Sequence, residues 1–148
     1  MLFRSHGRRQ ATECGALLKA LFVRDRKLPE QFDYVSSPLK RARETMEVVR
    51  ATLGLEPLGY AIDDRLVEIA YGDWEGLTLA EIEKANTGIL AQREYASLVN
   101  DTVVAAHGGG VRALIALFNI LSEEQATHAQ VEQGVVYVFA AGKVSRYA

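Results

Sequence analysis

The segment Asp101-Thr-Val-Val-Ala-Ala-His-Gly-Gly-Gly-Val-Arg-Ala-Leu114 constrains the fold more than any other. Thr102 to Ala106 is a short, uncharged, largely β-branched run, the signature of a strand covered on both faces. Three glycines follow, and then Val111 to Leu121, where Leu114, Leu117, Phe118 and Leu121 keep helical spacing. The segment reads as a strand that turns straight into a helix. It also places His107 at the carboxyl end of a strand, beside glycines whose backbone N–H groups can approach a ligand closely. Ligands bind at that edge of open α/β sheets. An incidental histidine on a plain strand–helix corner is the competing reading, and this segment alone does not separate the two.

The chain of 148 residues suits one well-buried domain and is short for two. An apolar content of 49% with 24% charged residues is that of a soluble globular protein. A formal net charge of −2 argues against a nucleic-acid or membrane-surface role, while a locally basic pocket remains compatible with it. The start Met1-Leu-Phe-Arg4 meets a charge too early for a secretory signal, and no apolar run is long enough for a bilayer. A cytoplasmic location is the expectation. The single cysteine, Cys14, excludes an internal disulfide and any multi-cysteine metal site.

From the amino terminus, Leu2-Phe3 reads as a strand stub ending at Arg4, and Gly7-Arg-Arg-Gln-Ala11 reads as the opening of a helix. The stripe of that helix is Ala11, Cys14, Leu18 and Leu21, which makes Cys14 a core residue rather than a nucleophile. Tyr34-Val35 reads as a buried strand. Ser37-Pro38 then reads as a serine cap followed by proline at the first helical position. Ala42, Met46, Val49 and Leu53 form the stripe of this second helix, which Gly54 stops. Arg41 lies in its first turn, where the helix dipole gives a cation nothing, so an anionic ligand accounts for it better than a structural role. Further on, Glu68 sits among apolar neighbours that would raise its pKa toward general-acid use if they desolvate it; a plain surface charge is the alternative, as it is for Glu75. Thr78-Leu-Ala-Glu81 and Ser122-Glu-Glu-Gln125 are capping-box patterns. Val135 to Phe139 and Val144 to Tyr147 read as strands joined by a turn, and His128 as a surface residue.

Arg4, Arg41 and His107 thus gather at strand ends. Two guanidiniums and an imidazole beside backbone donors match a phosphoryl group, with each charge-assisted contact contributing about 1.5–3 kcal/mol. On three segments, Ser36-Ser-Pro-Leu-Lys-Arg-Ala-Arg-Glu-Thr45, Arg65-Leu-Val-Glu-Ile-Ala-Tyr-Gly-Asp-Trp-Glu-Gly76 and Val104-Ala-Ala-His-Gly-Gly109, the chain resembles the histidine phosphatase superfamily, the phosphoglycerate mutase-like family. The resemblance implies a three-layer α/β/α sandwich with a mainly parallel sheet. It implies Arg4, Arg41, His107 and Gly108 as phosphate-binding residues, with His107 the second pocket histidine and Glu68 the proton donor. It further implies a metal-independent, cofactor-free phosphatase working through a phosphohistidine on a small phosphorylated metabolite. Mutase-type phosphoryl transfer would use the same pocket.

One departure concerns the nucleophile. The family pattern has arginine–histidine–glycine followed by a long loop before the helix, whereas this chain reads Arg4-Ser-His-Gly7 directly into it. Either His6 is the nucleophile displaced by one residue, or His6 immediately precedes the helix and the motif's histidine belongs to a segment absent between Arg4 and Ser5. The region from Glu83 to Asn100 is likewise short of the family's substrate loop. A catalytically inactive phosphate-binding module is therefore the main rival. An esterase using His107-Gly-Gly-Gly110 as an oxyanion loop would need a glycine–x–serine–x–glycine elbow, which is missing. A nucleotide-binding protein would need a Walker loop or a GxGxxG turn, and neither occurs. Substrate identity and oligomeric state are not legible from the sequence.

Overall fold

The computed structural model describes residues 2–67, 101–117, 122, 125 and 128–148. In chain order these form α1 (Leu2–Arg24), β1 (Asp33–Ser36), α2 (Lys40–Thr52), β2 (Ala61–Ile62), β3 (Thr102–Ala105), α3 (Gly108–Leu117), β4 (Val136–Ala140) and β5 (Lys143–Tyr147). One sheet is parallel with the order β2-β1-β3, and β4 and β5 form a separate antiparallel pair. Parallel strands with helices make this an α/β fold, the class that the family resemblance implies. Among the described residues no helix is long and apolar enough to cross a membrane.

The first helix begins earlier than the sequence suggests. Leu2, Phe3 and Arg4 belong to α1 rather than to a strand, and the helix runs unbroken through Arg4, Ser5 and His6. Only two residues separate Arg4 from Gly7, too few to turn a strand into a helix. Extending an existing helix instead adds one hydrogen bond for each residue fixed. Further along α1, Ala11, Cys14 and Phe22 are buried while Leu18 and Leu21 are half-buried, so the stripe is the expected one with Phe22 added.

α1 packs along α2, and the two helices approach closely at Gly15. A Cβ there would stand 2.7 Å from the Cβ of Thr52. From α2, Ala42, Met46, Val49 and Leu53 are all buried. Cys14, Phe22, Tyr34, Met46, Val49 and Leu53 form one cluster, against which Val103 and Ala105 of β3 and Val136 of β4 pack. Phe22 and Phe32 extend it, with ring centroids 4.5 Å apart and planes tilted by 39°. Gly54 closes α2 with φ of +83°, a left-handed conformation that glycine adopts without penalty.

The start of α2 departs from the expected serine cap. Its first residue is Lys40, its N-cap is Leu39, and no side chain caps it. Ser37 instead prolongs the strand: its N–H donates to Ala105 O at 3.0 Å, one step beyond the Ser36–Ala105 pair of the β1–β3 register. Two elements follow their sequence patterns closely. Ser122 and Gln125 make the reciprocal bonds of a capping box, Ser122 N–H to Gln125 Oε1 at 3.1 Å and Gln125 N–H to Ser122 Oγ at 3.2 Å. β4 and β5 occupy the two predicted strand segments within a residue at each end. By contrast, all four residues of β3 are half-buried rather than fully covered.

At the amino end of β1, Arg50 is 7% exposed and its guanidinium stacks over the Tyr34 ring, with Cζ 4.5 Å from the centroid. Its Nε donates to Glu56 O at 2.8 Å, which ties the turn after α2 to the core. The Tyr34 hydroxyl donates to Pro29 O at 2.9 Å. Burial pushes this phenol up to about 12, against the opposing pull of Arg50. The unfolded chain, with an ordinary tyrosine near 10, therefore loses its proton first as pH rises. Stability contributed by neutral Tyr34 is present below pH 10 and falls between 10 and about 12. Urea midpoints measured across that window should fall with pH, and Tyr34→Phe should flatten the decline.

Candidate functional site at the carboxyl edge of the sheet

The chain starts in the middle of its parallel sheet, steps to one side for β2, and returns to the other side for β3. The carboxyl ends of β1 and β3 therefore flank a topological switch point, the place where ligands bind in open α/β sheets. β1 ends at Ser36 and leads through Ser37 into α2, while β3 ends at Ala105 and leads through His107 into α3. The register Ser36–Ala105 sets the two exits side by side. The segment that leaves β2 starts at the same edge, where Asp63 N–H donates to Ser36 O at 3.0 Å.

His107 and Ser37 meet across this edge. His107 Nε2 lies 3.0 Å from Ser37 Oγ, joining residues 70 positions apart. Ser37 is fully buried, whereas His107 is half-buried. The Ser37 hydroxyl oxygen also accepts the Leu39 N–H at 3.3 Å. Ser36, equally buried, donates its own hydroxyl to Ser37 O at 3.0 Å. A serine beside an imidazole is the geometry of an activated nucleophile. Burial forbids that role here, since an electrophile cannot reach an oxygen with no exposed surface. The hydroxyl instead supports the ring, a role the sequence does not show.

Two helices open at this edge. The His107 carbonyl accepts the Val111 N–H at 3.1 Å, which makes His107 the N-cap of α3 and Gly108 its first residue. α2 opens with Lys40 and Arg41, has no acidic residue in its first turn, and exposes Arg41. Cations at the positive end of a helix dipole raise its energy, and a bound anion would relieve the arrangement. Near Gly108, Arg112 of α3 donates Nε–H to Ala129 O at 2.8 Å, holding the segment before β4 against the first turn of α3. The sequence singles out neither Arg112 nor Ser37 in these roles.

The structure thus sets His107 and Gly108 on one side of the switch point and the Ser37–Arg41 segment on the other. Arg4 lies in the first turn of α1 and not at a strand end, and only its backbone is described. Glu68 falls outside the described residues, together with Glu75 and the Thr78–Glu81 capping box. His6 is exposed on α1, with its Nδ1 3.0 Å from Nη2 of Arg9 one turn along. His128 is exposed, as expected.

Comparison with known proteins agrees with this fold. The sequence model of the histidine phosphatase superfamily (branch 1) matches residues 3–98. The bifunctional protein Rv2228c of Mycobacterium tuberculosis (strain ATCC 25618 / H37Rv) is 36% identical over 75 residues, which are 51% of this chain and 18% of that protein. The match thus spans less than a fifth of the length of that curated relative. Among solved structures, mycobacterial glucosyl-3-phosphoglycerate phosphatase Rv2419c in complex with inorganic phosphate superposes with a TM-score of 0.56 at 25% identity, covering 83% of this chain and 72% of that one. Rv3214 from Mycobacterium tuberculosis gives a TM-score of 0.61 at 20% identity over 95% of this chain and 80% of its own, a likeness of fold alone.

Proposed function

Because the chain belongs to the histidine phosphatase superfamily, we propose that it is a phosphoester hydrolase acting on a small phosphorylated metabolite through a phosphohistidine, without a metal. The observation that carries this reading is the His107–Ser37 contact at the switch point, with Arg41 opening the neighbouring helix. The phosphoryl group would lie across the starts of α2 and α3, held by Arg41, His107 and the Gly108 N–H, with Arg4 as a second guanidinium. Gly108 has no left-handed φ, and among the described residues a Cβ there would meet Arg112 Nη1 at 3.7 Å and Val131 at 3.9 Å, which are ordinary contacts. None of these contacts requires glycine at this position. Close approach by a ligand is the remaining physical reason for it.

In the reaction, an imidazole lone pair attacks phosphorus in line and the bond to the leaving oxygen breaks as Glu68 supplies its proton. Water then displaces the histidine, yielding inorganic phosphate and the free imidazole. Charge on the equatorial oxygens is held by Arg41, Arg4 and His107. The chain has three histidines. His107 is engaged with Ser37 and His128 is an exposed turn residue, so His6 is the candidate nucleophile. Its place within an unbroken helix, paired to Arg9, favours a second reading in which the protein binds phosphoesters without turning them over.

Hydrolysis of p-nitrophenyl phosphate, followed alongside calorimetric titration with inorganic phosphate, separates the two. We expect release of phosphate by the wild-type chain, and loss of that release with phosphate binding retained in His6→Ala. Binding without turnover in the wild-type chain gives the second reading. Neither binding nor turnover overturns both.

A further inference from the structure

We infer that Ser37 is a positioning residue that fixes the tautomer of His107, holding the neutral ring with its proton on Nδ1 so that the imidazole presents a donor to a bound anion. The contact itself is an observation of the fold; its use on a phosphoryl group rests on the function proposed above.

The inference comes from counting protons at a buried oxygen. A serine hydroxyl has one proton to give and two lone pairs to offer. Ser37 Oγ has two polar partners among the described residues, the Leu39 N–H at 3.3 Å and His107 Nε2 at 3.0 Å. The backbone N–H can only donate, so it takes one lone pair. Were the ring to donate from Nε2 as well, the oxygen would accept twice and the hydroxyl proton would be left without an acceptor. Ser37 has no exposed surface, so water does not supply one. Buried donors without acceptors are disfavoured. The arrangement that satisfies the Ser37 hydroxyl has its Oγ–H donating to Nε2, and a neutral imidazole whose Nε2 accepts carries its proton on Nδ1.

The consequence is electrostatic. An Nδ1–H offers a hydrogen bond to a phosphoryl oxygen, whereas the opposite tautomer would present a lone pair to that negative oxygen. Ser37 is itself held by the backbone: its N–H donates to Ala105 O at 3.0 Å, and Ser36 Oγ donates to its carbonyl at 3.0 Å. The hydroxyl is therefore aimed by the β1–β3 register, and the ring it orients belongs to the residue whose backbone carbonyl opens α3. Serine at this position serves the opposite strand's histidine, and the uncapped start of α2 is the structural counterpart.

The test is the nitrogen chemistry of His107, read from long-range proton–nitrogen correlation spectra of the 15N-labelled chain in mildly alkaline solution, where a free imidazole is neutral. The wild-type chain should show His107 Nε2 with the shift of an unprotonated, accepting nitrogen and Nδ1 with that of a protonated one. In Ser37→Ala the ring should move toward the Nε2–H form, and binding of inorganic phosphate should weaken about two- to tenfold. Ser37→Thr, which keeps the hydroxyl, should restore both. A wild-type spectrum with the proton on Nε2 overturns the inference whether or not any variant folds. So does a folded Ser37→Ala whose His107 shifts are unchanged. A chain that shows the Nδ1–H tautomer but binds no phosphate would refute the proposed function and leave the tautomer assignment standing.

Discussion

His107→Ala should weaken the binding of inorganic phosphate by about ten- to a hundredfold and slow phosphoester turnover by about 10² to 10³. The imidazole stands at the switch point between β1 and β3, on the residue that precedes α3, so its removal takes a donor from the point where negative charge would develop. A hydrogen bond to a charged group contributes about 1.5–3 kcal/mol, which sets the loss in affinity. A preorganised donor acts more strongly in the transition state, which sets the larger loss in rate. The change also strips Ser37 of the acceptor for its hydroxyl at a site with no exposed surface, so stability should fall by about 1–3 kcal/mol. Calorimetric titration with phosphate at a temperature where the variant remains folded separates the two effects. Arg41→Ala is the companion measurement: its side chain is exposed, so it should reduce phosphate affinity with little change in melting temperature. Full phosphate affinity in folded His107→Ala would remove His107 from the site.

The sequence marks this edge well where the signal is local. The run Thr102 to Ala106 followed by three glycines announces a strand–helix corner, and the chain forms one there. Ala42, Met46, Val49 and Leu53 repeat at helical spacing and all are buried; Gly54 stops the helix with the positive φ its type favours. Failures of the local reading occur where a distant partner competes for the same group. Ser37-Pro38 has the chemistry of a helix cap, yet the hydroxyl is turned to a histidine 70 residues away because the β1–β3 register brings it within 3.0 Å. Likewise, nothing near Arg50 in sequence predicts a buried guanidinium, since its partner is the Tyr34 ring on the adjacent strand. At the amino terminus the reverse holds. Leu2-Phe3 reads as a strand stub, but Arg4 follows so closely on them and precedes the helix by so few residues that helix propagation takes the whole segment. The segments after β1 and β3 thus fall at one edge of the sheet, whereas the amino-terminal motif is taken into α1.

Met46→Ala should be strongly destabilising, costing about 2–5 kcal/mol. Met46 is 1% exposed and sits midway along α2 in the cluster with Cys14 and Phe22 of α1, Tyr34 of β1, and Val49 and Leu53 of its own helix. Truncation removes three heavy atoms from the seam where α1, α2 and the sheet meet, and the surrounding groups are poorly placed to collapse into the gap. The close approach of α1 to α2 at Gly15 and Thr52 limits how much further the helices can move together. Domains of this size have about 5–15 kcal/mol of stability in total, so the loss is a large fraction of it. At about 2–4 °C for each kcal/mol, the melting temperature should fall by roughly 5–20 °C. Met46→Leu nearly conserves volume and should cost less than about 1.5 kcal/mol. Since α2 also carries Arg41 at its opening, the two variants divide packing from function: well below its melting temperature Met46→Ala should bind phosphate as the wild-type chain does. Weakened binding in the folded variant would mean that the core seats Arg41 directly, and a melting temperature no lower than that of Met46→Leu would refute the position of Met46 at the centre of the core.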